Sequence, residues 1–330
     1  MSALLAVEEL RVEFRQGGLR QLFGAGGGTV HAVNGVSLAV GRGETLGLVG
    51  ESGCGKTTLG RAMLRLVSAS AGKVGFDGRD LSAMNAEALF AFRRRAQMVF
   101  QDPYAALNPR LPVGETLAEV FRVHRLCAPG DVKREVERLM TSVGLPPELA
   151  GRRPAALSGG QCQRVGIARA LAVGPELLIA DEAVSALDVS IQAQILNLFT
   201  RLREERHLTL VFISHDLGVV RHLCQRVAVM YLGRIVEEGP TEAVFASPKH
   251  PYTQALIASI PRMDPGAGAP QLRLPGEPPS PTRIPAGCPF HPRCAQALAA
   301  CRADPPPAER RAGGAQVWCH LYPEGDGRAA

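Results

Sequence analysis

The sequence predicts an α/β protein in which a parallel sheet is covered by helices on both faces. Short apolar strands alternate with helical segments along most of the chain. Those strands, TLGLVG, ELLIAD and LTLVFIS, are continuous apolar runs, as strands buried on both faces are. A glycine-rich turn joins the first of them directly to a helix. A tail beginning GCPFHPRC stands outside this pattern.

The elements follow in chain order. Residues 4 to 14 and 30 to 40 alternate as strands do, with Val12, Phe14, Val36, Leu38 and Val40 among the apolar positions. Six of the twelve residues from Gly17 to Gly28 are glycine, which predicts a loop between them. TLGLVG (45 to 50) is a buried strand, and KTTLGRAMLRLV then places Leu59, Met63, Leu66 and Val67 on one helical face. From about residue 85 to 175 the periodicity is mostly helical, in ALFAFRRRAQMVF, VGETLAEVFRVHRL, DVKREVERLMTSVGL and GGQCQRVGIARALAV. Strands return at 176 to 181, 208 to 214 and 226 to 239, the first two separated by the helical IQAQILNLFTRLREE. Of the 27 residues from Pro261 to Gly287, twelve are Pro or Gly, the composition of a linker.

Composition sets limits on the class. Hydrophobic residues make up 46% and charged residues 21% of the 330 positions, within the range of globular proteins. A net charge of +6 is mild and points to no particular polyanion. MSALLAVEELRVEF has no basic leader and no long apolar run, so no secretory signal is expected. No window reaches the ~20 apolar residues of a membrane-spanning helix, so any membrane role is expected to be peripheral.

GESGCGKT, Gly50 to Thr57, fits G-x-x-x-x-G-K-[ST] and lies between a strand and a helix, where that pattern must lie to work. Backbone N–H groups of Gly50, Glu51, Ser52, Gly53, Cys54 and Gly55 would wrap a polyphosphate, which the helix N-terminus also favours. Lys56 would reach the β- and γ-phosphates, and Thr57, followed by Thr58, would bind Mg²⁺. LLIADE ends in two carboxylates; Asp181 suits Mg²⁺ and Glu182 suits polarising the attacking water. Taken alone, the pair serves equally well as a cap and a first-turn acid for the following helix. LSGGQ (157 to 161) opens a helix with Ser158, Gly159, Gly160 and Gln161 and is a second anion cradle. Two cradles with one lysine loop suggest that the second serves another subunit's nucleotide.

With these motifs in the order GESGCGKT, Gln101 in VFQDP, LSGGQ, LLIADE, SALD (185 to 188) and His215 in ISHD, the chain closely resembles the ATP-binding cassette (ABC) family from about residue 5 to 260. The resemblance implies an ABC-type P-loop ATPase, with a RecA-like parallel-sheet core, an antiparallel β subdomain and a helical subdomain at about 102–160. It also implies a head-to-tail dimer that sandwiches two ATP molecules. Gln101 then corresponds to the residue that senses Mg²⁺ and the attacking water, Asp188 to the dimer-contact aspartate and His215 to the γ-phosphate switch. The family's adenine-stacking aromatic has three candidates here: Phe14, Phe23 and His31. Ala183 stands where the family usually has proline.

DEAVSALDVSIQAQILNL, KHPYTQALIASIP and the GCPFHPRC tail narrow the resemblance to the ATPase subunits of bacterial oligopeptide and dipeptide importers, a group that includes nickel importers. VSALDVSIQ resembles the second, F-type, of their two paralogous ATPases. What this implies is a peripheral subunit on the cytoplasmic face of the membrane. It would pair as a heterodimer with its paralogue, work with two permeases and depend indirectly on a substrate-binding protein. Two other readings have sequence tests. A soluble ABC ATPase usually carries two cassettes or a long coiled coil, and neither is present. A zinc-binding nucleic-acid module would interleave aromatics with a basic patch, yet residues 288 to 330 hold only Phe290, Trp318 and Tyr322 as aromatics.

Four of the eight cysteines, Cys288, Cys294, Cys301 and Cys319, fall in the last 43 residues. Disulfides are disfavoured in a chain without an export signal. A short tail with no evident core needs a staple, and a metal centre supplies one. The intervening gaps of five, six and seventeen residues are wider than those of structural zinc sites and suit a cluster held by four thiolates. Similar tails in the peptide-importer ATPases are implied to hold a [4Fe–4S] cluster. Zinc is the alternative, with His291 or His320 replacing a cysteine. The expected organisation is a cassette over 1–260, a linker over 261–287 and a cysteine-rich extension over 288–330.

Overall fold

The computed structural model describes residues 3–15, 28–185, 187–260, 276–306, 310–312 and 315–322. In chain order the elements begin with strands β1 (Ala3–Arg15), β2 (Thr29–Gly41) and β3 (Thr45–Val49), helix α1 (Lys56–Met63) and strands β4 (Ala71–Phe76) and β5 (Arg79–Asp80). Helix α2 (Ala86–Arg95), strand β6 (Ala96–Val99), helices α3 (Val113–Val123), α4 (Val132–Ser142) and α5 (Gly159–Leu171), strand β7 (Leu177–Asp181), helix α6 (Val189–Arg206) and strand β8 (Thr209–Ile213) follow. The remainder is α7 (Leu217–Leu223), β9 (Arg226–Tyr231), β10 (Arg234–Pro240), α8 (Thr241–Ala246), α9 (Pro251–Ala258), α10 (Ala300–Ala303), β11 (Arg310–Ala312) and β12 (Ala315–Val317).

These elements sort into two compact units. The first comprises residues 41–44 and 83–213. Its sheet is β6-β7-β8, all parallel, and every residue of β7 and β8 is buried. That burial explains the unbroken apolar runs in the sequence. Helix α4 buries one apolar stripe, Val132, Val136, Leu139 and Met140, whereas α5 is buried on nearly all sides.

One expectation fails in this unit. ALFAFRRRAQMVF is read from the sequence as a single helix, yet the helix stops at Arg95 and AQMV is strand β6. Asn85 caps α2 by accepting from Ala88 N–H at 2.9 Å, and Arg93, Arg94 and Arg95 crowd its negative end. Ala96 then turns extended, and its strand pairs residue for residue with β7.

The second unit comprises residues 3–40, 45–82 and 214–330. One sheet is antiparallel, in the order β2-β1-β4-β5. In the other, β3 runs parallel to β9, β9 and β10 form a hairpin, and β12 and β11 continue it antiparallel beyond β10. The sequence reads 226 to 239 as one strand; Leu232 and Gly233, both at positive φ, turn it back on itself instead.

The cysteine-bearing tail, expected to have no core, borrows one. Phe290 is 2% exposed and packs edge-on to Tyr231 at 5.2 Å, against Tyr252 at 5.5 Å and His250 at 5.6 Å. Val317 pairs with Glu237 of β10, and Trp318 N–H donates to Val236 C=O at 3.0 Å. Of the expected linker, residues 261–275 lie outside the described residues; 276–287 form no helix or strand.

Because Phe290 fills a site already closed by three aromatic rings, Phe290→Ala should leave a cavity and lower stability by about 3 kcal/mol. Urea unfolding followed by tyrosine and tryptophan fluorescence measures it. A loss below roughly 0.5 kcal/mol, the range of ordinary surface changes, would show that the tail is not part of this core.

Candidate functional site

The residues from Gly50 to Lys56 connect β3 to α1 in a conformation that two glycines permit. Gly50 has φ +151° and Gly55 φ +106°; a Cβ at either would lie 2.1 Å from a carbonyl oxygen, that of Met230 or of Ala32 respectively. The loop is thus held against the end of β9 and against β2, and Gly233 N–H donates to Cys54 C=O at 2.9 Å. Ser52 and Gly53 are exposed, Thr57 and Thr58 half-buried. Lys56 is only 4% exposed and folds back, its Nζ donating to Gly50 C=O at 2.8 Å and Glu51 C=O at 2.9 Å. Burial pushes the Cys54 thiol pKa up, so it stands neutral beneath the loop.

Two residues that sequence reasoning did not assign to the site hold this loop. Tyr252, fully buried in α9, accepts the Glu51 N–H at 2.8 Å. Arg293 forks onto the Glu51 carboxylate at 2.7 and 3.0 Å. Both occur in stretches that carried the family resemblance, KHPYTQALIASIP and GCPFHPRC, but nothing local marks them as partners of the loop. His250 caps α9 by accepting Tyr252 N–H at 3.1 Å, and burial pushes its pKa down to about 3, which keeps the ring neutral.

In the first unit the register of the parallel pair β6 and β7 aligns Val99 with Ala180. Two residues beyond, Gln101 and Glu182 come opposite one another. Gln101 Nε2 donates to Glu182 Oε2 at 2.9 Å. Asp181 ends β7 and is 1% exposed; Glu182 follows at φ +46°, a region sparsely populated by residues other than glycine and enriched at active sites. Its N–H is fixed by Ile213 C=O at 3.0 Å, and its own C=O accepts the Ser185 hydroxyl at 2.9 Å. The capping alternative for the two carboxylates fails, since among the described residues the next helix starts at Val189.

LSGGQ forms a reciprocal cap. Gln161 N–H donates to the Ser158 hydroxyl at 3.3 Å, and Ser158 N–H donates to the Gln161 side chain at 3.0 Å. Gly160 lets α5 and α6 approach, because a Cβ there would lie 2.5 Å from Ile191. Asp188 is exposed at the start of α6, and Val189 beside it is 83% exposed. Ala186 of the SALD motif lies outside the described residues.

His215 is exposed in the second unit, between Ser214, whose N–H donates to Leu48 C=O, and Asp216, which caps α7. Of the adenine-stacking candidates, Phe14 is exposed at the end of β1, His31 is bonded to Glu13 at 2.9 Å, and Phe23 lies outside the described residues.

The four tail cysteines are unbridged. Cys288, Cys301 and Cys319 are buried and Cys294 half-buried, and Cys288 N–H donates to Cys301 C=O at 2.8 Å. Burial first, then the neighbouring cysteines, push the thiol pKa of Cys288, Cys294 and Cys319 up, that of Cys319 to about 11. Among the described residues no group of three His, Cys, Asp or Glu is arranged to hold a metal ion. His291 and His320 each have one ring nitrogen bonded to a backbone carbonyl, of Cys288 and Asp304.

Comparison with known proteins bears on the whole chain. Residues 33–185 match the model of the ABC transporter family, and residues 236–301 that of the oligopeptide/dipeptide transporter C-terminal region. The oligopeptide transport ATP-binding protein AppF of Bacillus subtilis is 50% identical over 89% of this chain and 91% of its own. The oligopeptide transport ATP-binding protein OppF of Salmonella typhimurium is 49% identical over 88% of each. Among solved structures, the dimeric cassette MJ0796 bound to ADP and Pi is similar with a TM-score of 0.63 and 27% identity, over 72% of this chain and 98% of that one.

Lys56→Ala should weaken binding of Mg²⁺-ATP at least tenfold, since the ammonium that the loop folds inward is removed; isothermal titration measures it. Unchanged affinity would remove the lysine loop from the nucleotide site.

Proposed function

The chain belongs to the ATP-binding subunits of the oligopeptide/dipeptide ABC importers, and on that premise we propose how its residues turn ATP hydrolysis into peptide import. It is an ATPase that powers peptide import through membrane permeases, peripheral on the cytoplasmic side, with cargo supplied by a substrate-binding protein. No helix among the described residues is long and apolar enough to cross a membrane.

The observation that carries the chemistry is the bond from Gln101 to Glu182. Glu182 acts as general base: it draws the proton from the attacking water as the water's oxygen closes on the γ-phosphorus, and ADP leaves. Gln101 fixes the carboxylate and the water beside it. Asp181 would hold Mg²⁺ through water and the Thr57 hydroxyl would ligate Mg²⁺, whose charge would offset that of the phosphates. Gly50 to Thr58 receive the phosphates, with Lys56 swinging from its loop carbonyls to the β- and γ-oxygens. His215 contacts the γ-phosphate. Ser158, Gly159, Gly160 and Gln161 present the start of α5 to the nucleotide of another subunit, and Asp188 lines the dimer contact. The exposure of Ser158, Asp188 and Val189 supports such a contact. The partner in this reading is the paralogous ATPase, this chain being the F-type member.

Glu182→Gln should keep ATP binding, lower turnover of the assembled complex by about 10²- to 10⁴-fold and trap an ATP-bound dimer. Phosphate release and native mass spectrometry read both effects. Near wild-type turnover would exclude Glu182 as the base, and a trapped dimer of two identical chains would exclude the paralogue.

For the tail, the reading is a [4Fe–4S] cluster on Cys288, Cys294, Cys301 and Cys319. Four unbridged cysteines in one short tail, at gaps wider than those of structural zinc sites, fit a four-thiolate cluster better than zinc. When bound, the cluster supplies a covalent staple for a small fold. Anaerobically purified protein should contain about four iron atoms per chain and absorb visible light. Stoichiometric zinc without acid-labile sulfide would overturn the cluster.

A further inference from the structure

Glu51, the second residue of the nucleotide loop, is held at three points. Its N–H goes to Tyr252, its C=O to Lys56 and its carboxylate to both terminal nitrogens of Arg293. The third is unlike the others, because Arg293 is 242 residues away in sequence and comes from the tail, directly before Cys294. The ion pair is not a solvated surface contact. The Arg293 side chain is 5% exposed and that of Glu51 25%. The guanidinium also lies 6.0 Å from the Tyr231 ring centroid, and Tyr231 in turn packs on Tyr252 and Phe290. A planar fork on a carboxylate fixes orientation as well as distance. Removing one partner of such a pair leaves the other charge buried and unpaired.

The loop therefore takes part of its shape from the tail. The Glu51 N–H, expected from the sequence to face the phosphates, is instead taken by Tyr252, so Glu51 anchors the loop from behind, and its side chain is set by a residue whose own place depends on the turn His291–Arg293 between two cysteines. We propose that Arg293 is a positioning residue for ATP: seated in the tail, it holds Glu51 and with it the nucleotide loop in the binding-competent shape. Whatever unseats the Cys288–Cys294 turn releases the loop. By linkage, ATP binding tightens that turn by the same free energy.

The inference rests on Gly50 to Thr58 being the nucleotide loop, and it holds whichever metal the cysteines carry. Its test uses the full-length chain with Mg²⁺-ATP. Arg293→Ala and Glu51→Gln should each weaken affinity about tenfold, and the double variant should be no weaker than the worse single one. Arg293→Lys, which keeps the charge without the fork, should recover part of the loss. In the wild-type chain, hydrogen exchange of residues 288–294 should slow on adding ATP, a readout that needs no variant to fold. Additive losses in the double variant, or unchanged exchange in 288–294 at saturating ATP, would overturn the proposal. Lys56→Ala separates the two readings. Lost ATP binding in that variant with wild-type affinity in Arg293→Ala refutes only the positioning role, whereas unaffected binding in Lys56→Ala refutes the loop assignment beneath it.

Discussion

The constraint on which the second unit is built is the absence of a side chain at Gly50 and Gly55. The carbonyl oxygens of Met230 and Ala32 occupy the two places where a Cβ would go. Those oxygens belong to β9 and to β2, so the loop, the end of the parallel pair and the antiparallel sheet must meet at one point. The bond from Gly233 to Cys54 and that from Asn34 N–H to Gly233 C=O, at 2.8 Å, stitch the same three pieces together. A loop so confined presents its amides in one arrangement before any ligand arrives. Preorganisation of this kind strengthens binding by removing the entropy of ordering the loop. It also explains the folding of Lys56 onto Gly50 and Glu51, since a buried ammonium must find oxygen partners.

The first unit reaches its chemistry by register. Parallel strands place equivalent residues side by side at one end of the sheet, and ligand-binding groups of open α/β sheets collect beyond the carboxyl ends of the strands. The alignment of Val99 with Ala180 sets Gln101 opposite Glu182 with no further design. A slip of one residue would turn each side chain to the other face. The left-handed backbone at Glu182 then aims the carboxylate at Gln101, and the Ile213 carbonyl and the Ser185 hydroxyl hold the strained peptide at both ends.

The motifs were legible because each is local. Glycines, one lysine and paired carboxylates act within a few residues of backbone, so their spacing alone carries the chemistry. Strand β6 was not legible, because ALFAFRRRAQMVF keeps a helical apolar pattern through the point where pairing with β7 takes over; tertiary context overrode the pattern. Tyr252 and Arg293 were not legible either. A tyrosine in a helix and an arginine beside a cysteine have many roles, and only the fold brings them to Glu51 across 201 and 242 residues. The tail was misjudged as coreless for the same reason, since its core consists largely of Tyr231, Tyr252 and His250 from outside it.

That shared core also holds buried polar groups from outside the tail. Glu237 is fully buried, and burial raises its pKa, yet its carboxylate accepts Lys249 N–H and His250 N–H at 2.8 Å each. The same strand, β10, carries β12 of the tail on its edge. The Glu237 bonds fix the start of α9, the neutral His250 ring caps it, and the cap sets Tyr252 under Glu51. One buried carboxylate thus orients, through two backbone donors and one histidine, a hydroxyl at the nucleotide loop. Arg293 reaches Glu51 from the tail side, its guanidinium lying over the Tyr231 ring. Two separate chain segments, one on each side of the undescribed residues 261–275, thereby converge on one peptide of the loop. A change in the seating of either is transmitted to Glu51 through hydrogen bonds and ring packing.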